Sequence, residues 1–262
     1  MKIIAISLAA VLIFCEGCLE HAYYLSSSNA NSNPYHAAPL QSDSVKSATY
    51  LDALFTIGSA NQDWSDNLFA VRMGVHRAHT LGNFHLFYGA NGSVGSYNIS
   101  SSYYYSQNGN LIQPENRGSK LFAGYGFNGG CNALIPINGG GEWRVFGLEG
   151  SAQNEFGDYY NFRKNFPDSI SGIVSRSHWT GTIGMTSEII ARSRRGTAFG
   201  YKFSLGTNVD SYYNSYTLSR ERPFYVSNTV HFTKGNVTAF WQLNFGSYAG
   251  NFQFGMNYKL GR

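Results

Sequence analysis

Charge is what this chain of 262 residues has least of: Asp, Glu, Lys and Arg together make up 13% of it. A soluble enzyme ordinarily carries about 25%. The formal balance of +4 is scattered, with no basic stripe and no recognisable nucleic-acid motif, so no nucleic acid is expected as a partner. Long hydrophobic runs are also missing. The one apolar stretch, Ile3 to Phe14, follows Met1-Lys2 and falls short of the about twenty residues that a helix needs to cross a bilayer. It reads as a signal peptide (residues 1–17) that is removed after export. Cysteine is equally scarce. Of 3 cysteines, Cys15 and Cys18 end the signal segment and Cys131 is left without a disulfide partner. A Cys-x-x-Cys redox or zinc site at 15–18 would need a folded context that a signal peptide lacks.

Signatures of chemistry are absent as well. There is no Gly-x-Ser-x-Gly elbow, phosphate-binding loop or His-Glu-x-x-His helix, so no catalytic residue and no cofactor is assigned. His76-Arg-Ala-His79 would share a metal on a helix, but on a strand the two rings point to opposite faces, and no metal site is expected there. His178 near Ser177 and Asp168, or His231 with Ser227, could serve a membrane-embedded lipid-modifying enzyme. Nothing in the sequence fixes their separation.

What the chain does have is 16% aromatic residues and 30 glycines. It also has strict alternation. Val237, Ala239, Trp241, Leu243 and Phe245 alternate with Thr238, Phe240, Gln242 and Asn244, and Phe252, Phe254, Met256, Tyr258 and Leu260 alternate with Gln253, Gly255, Asn257 and Lys259. Period-two patterning gives a strand one apolar and one polar face. Similar strands are expected at 48–58, 67–78, from 83 through Asn91-Gly92, from 121 to 135, and at 142–152, 178–191 and 197–209, with a further one after Pro223. The expectation is an all-β fold, a single antiparallel up-and-down transmembrane β-barrel of about ten strands over 48–262, with short turns at one end and longer loops at the other. A hairpin at Asn91-Gly92 is the rival reading of the third strand. The last strand is expected to close the barrel against the first near Leu51.

Lipid is preferred to a soluble core because the polar faces carry Gly, Ser, Thr, Asn and Gln rather than a charged surface, and because Tyr201, Trp241, Phe252, Phe254 and Tyr258 suit a lipid-facing aromatic surface. A lipocalin-like barrel with its apolar face inward is the alternative. The inward parity then collects Arg72, His76, His85, Lys120, Glu149, Glu188 and Lys202 into a lumen charge network, with both glutamates facing Arg72, Lys120 or Lys202. Such a network either plugs the lumen or lines a small polar conduit. In the fifth strand Arg144, Phe146 and Leu148 are placed opposite Glu149. The loop 153–177, with Tyr159, Tyr160, Phe162, Arg163, Lys164 and Phe166, either caps the barrel mouth or meets an envelope partner.

The stretch Gly17-Cys18 resembles the end of a bacterial lipobox, and residues 18–47 are a leader rich in Tyr, Ser and Asn. The order of signal, cysteine, polar leader and barrel resembles that of exported outer-membrane β-barrel lipoproteins of Bacteroidetes-like bacteria. That resemblance implies lipidation at Cys18 and residence in the outer membrane of a Gram-negative cell, with membrane lipid as a partner; lipidation at Cys15 or plain cleavage are the competing outcomes. The leader is either a tether or a peptide laid along or inside the barrel. The expected role is a structural or interaction component of the cell envelope. A small porin or transporter for small or apolar solutes is the first alternative, and the lipid-modifying enzyme is the second.

Overall fold

The alternation resolves into ten strands that close on themselves. The computed structural model describes residues 22–27, 33–61, 64–100, 104–106, 108–112, 117–215 and 217–261; Cys15, Cys18 and the signal segment lie outside them. In chain order the barrel strands are β1 (Ser47–Ala60), β2 (Asp66–Leu81), β3 (Phe84–Ile99), β4 (Gly118–Ile137), β5 (Gly141–Gly157), β6 (Trp179–Arg192), β7 (Ala198–Asn208), β8 (Phe224–Lys234), β9 (Val237–Gly246) and β10 (Ala249–Leu260). Each pairs antiparallel with its sequence neighbour, and β10 closes on β1 with Tyr258 opposite Leu51 and Leu260 opposite Thr49. β3 runs unbroken through Asn91-Gly92. Closure removes every sheet edge, so the backbone of each strand finds ladder partners on both sides within the wall, as a bilayer requires.

The hydrophobic order of a soluble protein is inverted. Leu51, Phe55, Ile57, Phe69, Met73, Leu121, Phe127, Ile183, Phe203 and Met256 are exposed on the outside, while Thr56, Asn132, Gln153, Thr182, Thr229, Gln242, Asn244 and Gln253 are buried within. A soluble barrel around an apolar ligand would have these sets exchanged. Strands β7 to β10, of 11, 11, 10 and 12 residues, match the about 9–11 residues of a tilted membrane-spanning strand. The chain is a transmembrane β-barrel, and no helix among the described residues is long and apolar enough to cross a membrane.

Tyr201, Trp241, Phe252, Phe254 and Tyr258 all lie on this exterior. Trp241 faces Phe254 across β9 and β10, their rings 5.9 Å apart, near the middle of β9. They therefore sit at mid-height, whereas Tyr258 lies toward the turn end and Phe252 toward the loop end. Trp241→Arg is accordingly expected to lower the stability of the folded barrel in lipid vesicles by about 2–4 kcal/mol. An unchanged denaturant midpoint would show that this row does not face hydrocarbon.

Turns at 82–83, 138–140, 193–197 and 235–236 share one end of the barrel, and the connections that follow β1, β3, β5, β7 and β9 leave from the other. The fifth strand is longer than the sequence suggests: Gln153 and Glu155 continue β5 inward to Gly157, so the loop begins only at Asp158. It starts with helix α1 (Asp158–Lys164), which has its acid in the first turn and its bases in the last, as the helix dipole favours.

Candidate functional site

The lumen is occupied by the chain's own N-terminal segment. Ala22–Tyr24 pairs in parallel with Gly172–Val174 at the loop end. Gly172 is needed there: its φ is 144°, and a Cβ would stand 2.0 Å from the Ala22 carbonyl oxygen. Ser26 and Ser27 donate to Glu155 Oε2 at 2.8 and 2.7 Å. Farther down, Asn33 Oδ1 accepts from Ser151 at 2.9 Å and its Nδ2 donates to the Tyr225 hydroxyl at 3.1 Å, while Gln242 Nε2 donates to the Asn33 carbonyl at 2.9 Å. Tyr35 stacks on His231, centroids 4.6 Å apart, and His36 stacks on Phe87 at 4.8 Å. Ala37 donates to Asn257 Oδ1 at 2.7 Å, and Thr80 donates to the Pro39 carbonyl at 2.6 Å. At the turn end Gln41 N reaches Glu142 Oε2 at 2.7 Å, Ser42 reaches the Gly140 carbonyl at 2.8 Å, and Asp43 pairs with Arg192 at 2.7 Å. Residues 22–27 thus lie at the loop end, and residues 33–43 run on to the turn end before β1. Many of the segment's polar groups are matched to the wall.

Around it the buried charges form separate groups. Glu188 is the hub of one: Arg144 Nη1 lies 2.8 Å from its Oε2 and His231 Nε2 lies 2.8 Å from its Oε1, with Glu142 at 2.7 Å on the far side of Arg144. Gly200, opposite His231 across β7 and β8, leaves room for that ring, since a Cβ would meet Nε2 at 2.1 Å. Lys202 pairs with Glu149, and Lys202 Nζ also lies 5.7 Å from the centre of the Tyr35 ring. His76 Nδ1 is 2.8 Å from Asp52, and His76 Nε2 is 2.7 Å from the Ala37 carbonyl.

The expected network is therefore divided and differently centred. Glu149 meets Lys202, but Glu188 meets Arg144, which the alternation had set on the opposite face. The reason is a β-bulge. Ala133 faces Phe146 while Leu134 faces Arg144, so Val145 is an extra residue on β5, and the same slip recurs against β6 between Thr186 and Glu188. Arg144 below the bulge and Glu149 above it both point inward despite their unlike parity. His85 Nδ1 accepts from Asn132 Nδ2 at 3.1 Å rather than meeting a charge, and Arg72 donates to Gln153 Oε1 at 3.3 Å. Lys120 shares the inward parity of β4 but is only half-buried near the loop end, away from both glutamates. Asp52, Glu142 and His231 are members that the sequence reading passed over. Glu142-x-Arg144, an acid and a base on the same face two residues apart, was the available signal.

The loop end is closed by aromatic packing. Tyr24, Tyr97, Tyr104, Tyr159, Phe166 and Ile170 form one buried cluster against which Phe162 packs. Arg163 is fully buried, paired with Glu155 and bonded to the Ser175 carbonyl, with its guanidinium 5.2 Å from the Tyr159 ring. Most of the large side chains of the 153–177 loop thus turn inward over the mouth. The hydrolase candidates do not assemble: His178 and Ser177 are exposed, Ser177 donates to the Trp179 carbonyl, and Asp168 pairs with Arg176. Ser227 donates to Asn244, and His231 serves Glu188.

No family model matches the chain, and no curated protein resembles it in sequence. Among solved structures it is similar to the β domain of the Bordetella autotransporter Brka (8% identity, TM-score 0.43, 82% of this chain and 99% of that one). It is also similar to the translocator domain of the autotransporter NalP from Neisseria meningitidis (8% identity, TM-score 0.41, 84% and 90%) and to an outer membrane channel from Pseudomonas putida F1 (10% identity, TM-score 0.38, 90% and 98%). Identities this low carry no role from those proteins to this chain.

Proposed function

We propose that this is an outer-membrane barrel of a Gram-negative cell that is plugged from within and acts as a structural or interaction component of the envelope. The observation that carries the reading is the passage of residues 33–43 through the lumen, hydrogen-bonded to the wall at successive levels. An outer-membrane location follows from the barrel type and the lipid-suited exterior. With the longer loops facing outward, Ala22 lies at the outer surface, so lipidation at Cys18 would anchor the chain in the outer leaflet and leave the loop end for envelope partners. Mass spectrometry of the mature N-terminus reports the lipid: an unmodified Cys18 contradicts the anchor without touching the plug.

A plugged barrel is electrically silent. Purified full-length protein in planar bilayers is expected to show no discrete conductance steps at moderate voltage. Regular steps from the intact chain would overturn the structural reading in favour of the porin.

A further inference from the structure

The internal segment and the wall meet at a cluster that the barrel's own packing does not account for. His36 of the segment, Asp52 of β1 and His76 of β2 bring one ligand atom each to within 4.8 Å of one another. Asp52 and Gly74 are paired across β1 and β2, which places His76 one step along the same inward row. The rings of His36 and His76 are 4.9 Å apart and nearly perpendicular, at 87°. His36 is 6% and His76 1% exposed. His36 Nδ1 is buried without a hydrogen-bond partner among the described residues, a cost that native structures rarely leave uncompensated.

We infer that His36, Asp52 and His76 form a transition-metal site, best matched to Zn2+, that clamps the internal segment to the barrel wall. The chemistry of the donor set selects the ion. Two imidazoles and one carboxylate suit zinc, whereas calcium and magnesium demand oxygen ligands. His76 is oriented as metal-binding histidines are: its Nε2 is directed at the Ala37 carbonyl at 2.7 Å, which fixes the N–H there and leaves Nδ1 for the ion beside Asp52. The carbonyl that does this belongs to the residue next to His36, so the segment supplies both a ligand and the group that orients another. A cavity of about 20 Å³ is lined by His36 and Asp52 together with Gly74, Asn91, Asn128 and Asn257, room for one water as the fourth ligand. Arg72 lines the same cavity and opposes a cation; its bond to Gln153 draws the guanidinium toward β5.

The test uses the full chain, purified in detergent and stripped with a chelator. Titration with Zn2+ is expected to give one site per chain, and Co2+ in its place is expected to give the intense visible bands of a tetrahedral ion. His36→Ala and His76→Ala should each abolish the stoichiometric site and weaken binding by at least 100-fold, with Asp52→Asn weakening it less. Folding of each variant is checked by its heat-dependent gel mobility. The thermal midpoint is a second readout: Zn2+ should raise it in the parent chain and leave His36→Ala, whose change lies outside the barrel strands, unmoved. Binding of equal strength in His36→Ala, or no binding to the parent chain above the level of the His36→Ala/His76→Ala double variant, would overturn the site. The outcome is independent of conductance: a silent barrel that binds no zinc removes the clamp alone, and a conducting barrel that binds zinc removes the structural reading alone.

Discussion

Replacing residues 33–41 with a Gly/Ser segment of equal length is expected to turn a silent barrel into a conducting one. The replacement removes Asn33, whose side chain bridges Ser151 and Tyr225, Tyr35, whose ring covers His231 and lies over Lys202, and His36, which is stacked on Phe87. Those are contacts that no water-filled substitute reproduces. The buried inner wall of the barrel carries Thr56, Ser93, Gln153, Thr182, Thr229 and Gln253, polar enough to hold a water column once the segment no longer fits. Each hydrogen bond is worth only about 0.5–1.5 kcal/mol, but the segment is bonded at several levels at once, and its ends are held separately by the pairing with Gly172–Val174 and by Gln41 to Asp43. The expected record is frequent openings in the replaced chain against a flat trace in the parent. Persistent silence in a chain shown to be folded would mean that the paired charges close the lumen without the segment, and the plug would lose its place in the proposal.

How much of this was legible in the sequence depended on whether a feature is written in period or in register. The exterior was legible because hydrocarbon selects one face of every strand alike: Phe252, Phe254, Met256, Tyr258 and Leu260 announce β10, and the barrel then has only β1 to close upon. The bulge at Val145 was not legible. A one-residue slip changes no composition, and Trp143, Val145, Phe146 and Leu148 give both phases large apolar residues. That slip alone decides whether Arg144 faces lipid or Glu188. The inner segment was legible only as one of two readings, a tether or a peptide laid along or inside the barrel, for another reason. Beyond the three residues Ala22–Tyr24 it joins no ladder among the described residues, so it has no period, and its partners lie as far away as Asn257. His231 belongs to the Glu188 group only through the register of β6, β7 and β8, in which Glu188 faces Lys202 and Gly200 faces His231.

That group carries the largest effect expected from a single change. Glu188→Ala removes the one carboxylate that Arg144 and His231 share, at 2.8 Å from each, in a place where Glu188 is 4% exposed. Arg144 keeps Glu142 at 2.7 Å, but it then has one acid where it had two, and His231 keeps no acid at all while still stacked on Tyr35. Breaking a buried ion pair from one side costs about 3–5 kcal/mol, because the surviving partner stays desolvated without its counterion. The loss should therefore appear in two readouts: a lower urea midpoint for folding in vesicles, and looser seating of the segment, read as faster amide exchange near Tyr35. Adding His231→Ala separates the terms. If the cost is chiefly a stranded imidazole, the double variant recovers part of the stability, with a coupling of about 0.5–3 kcal/mol between the two sites. A loss below about 1 kcal/mol in Glu188→Ala, with no coupling to His231, would place Glu188 in contact with water and detach it from the plug.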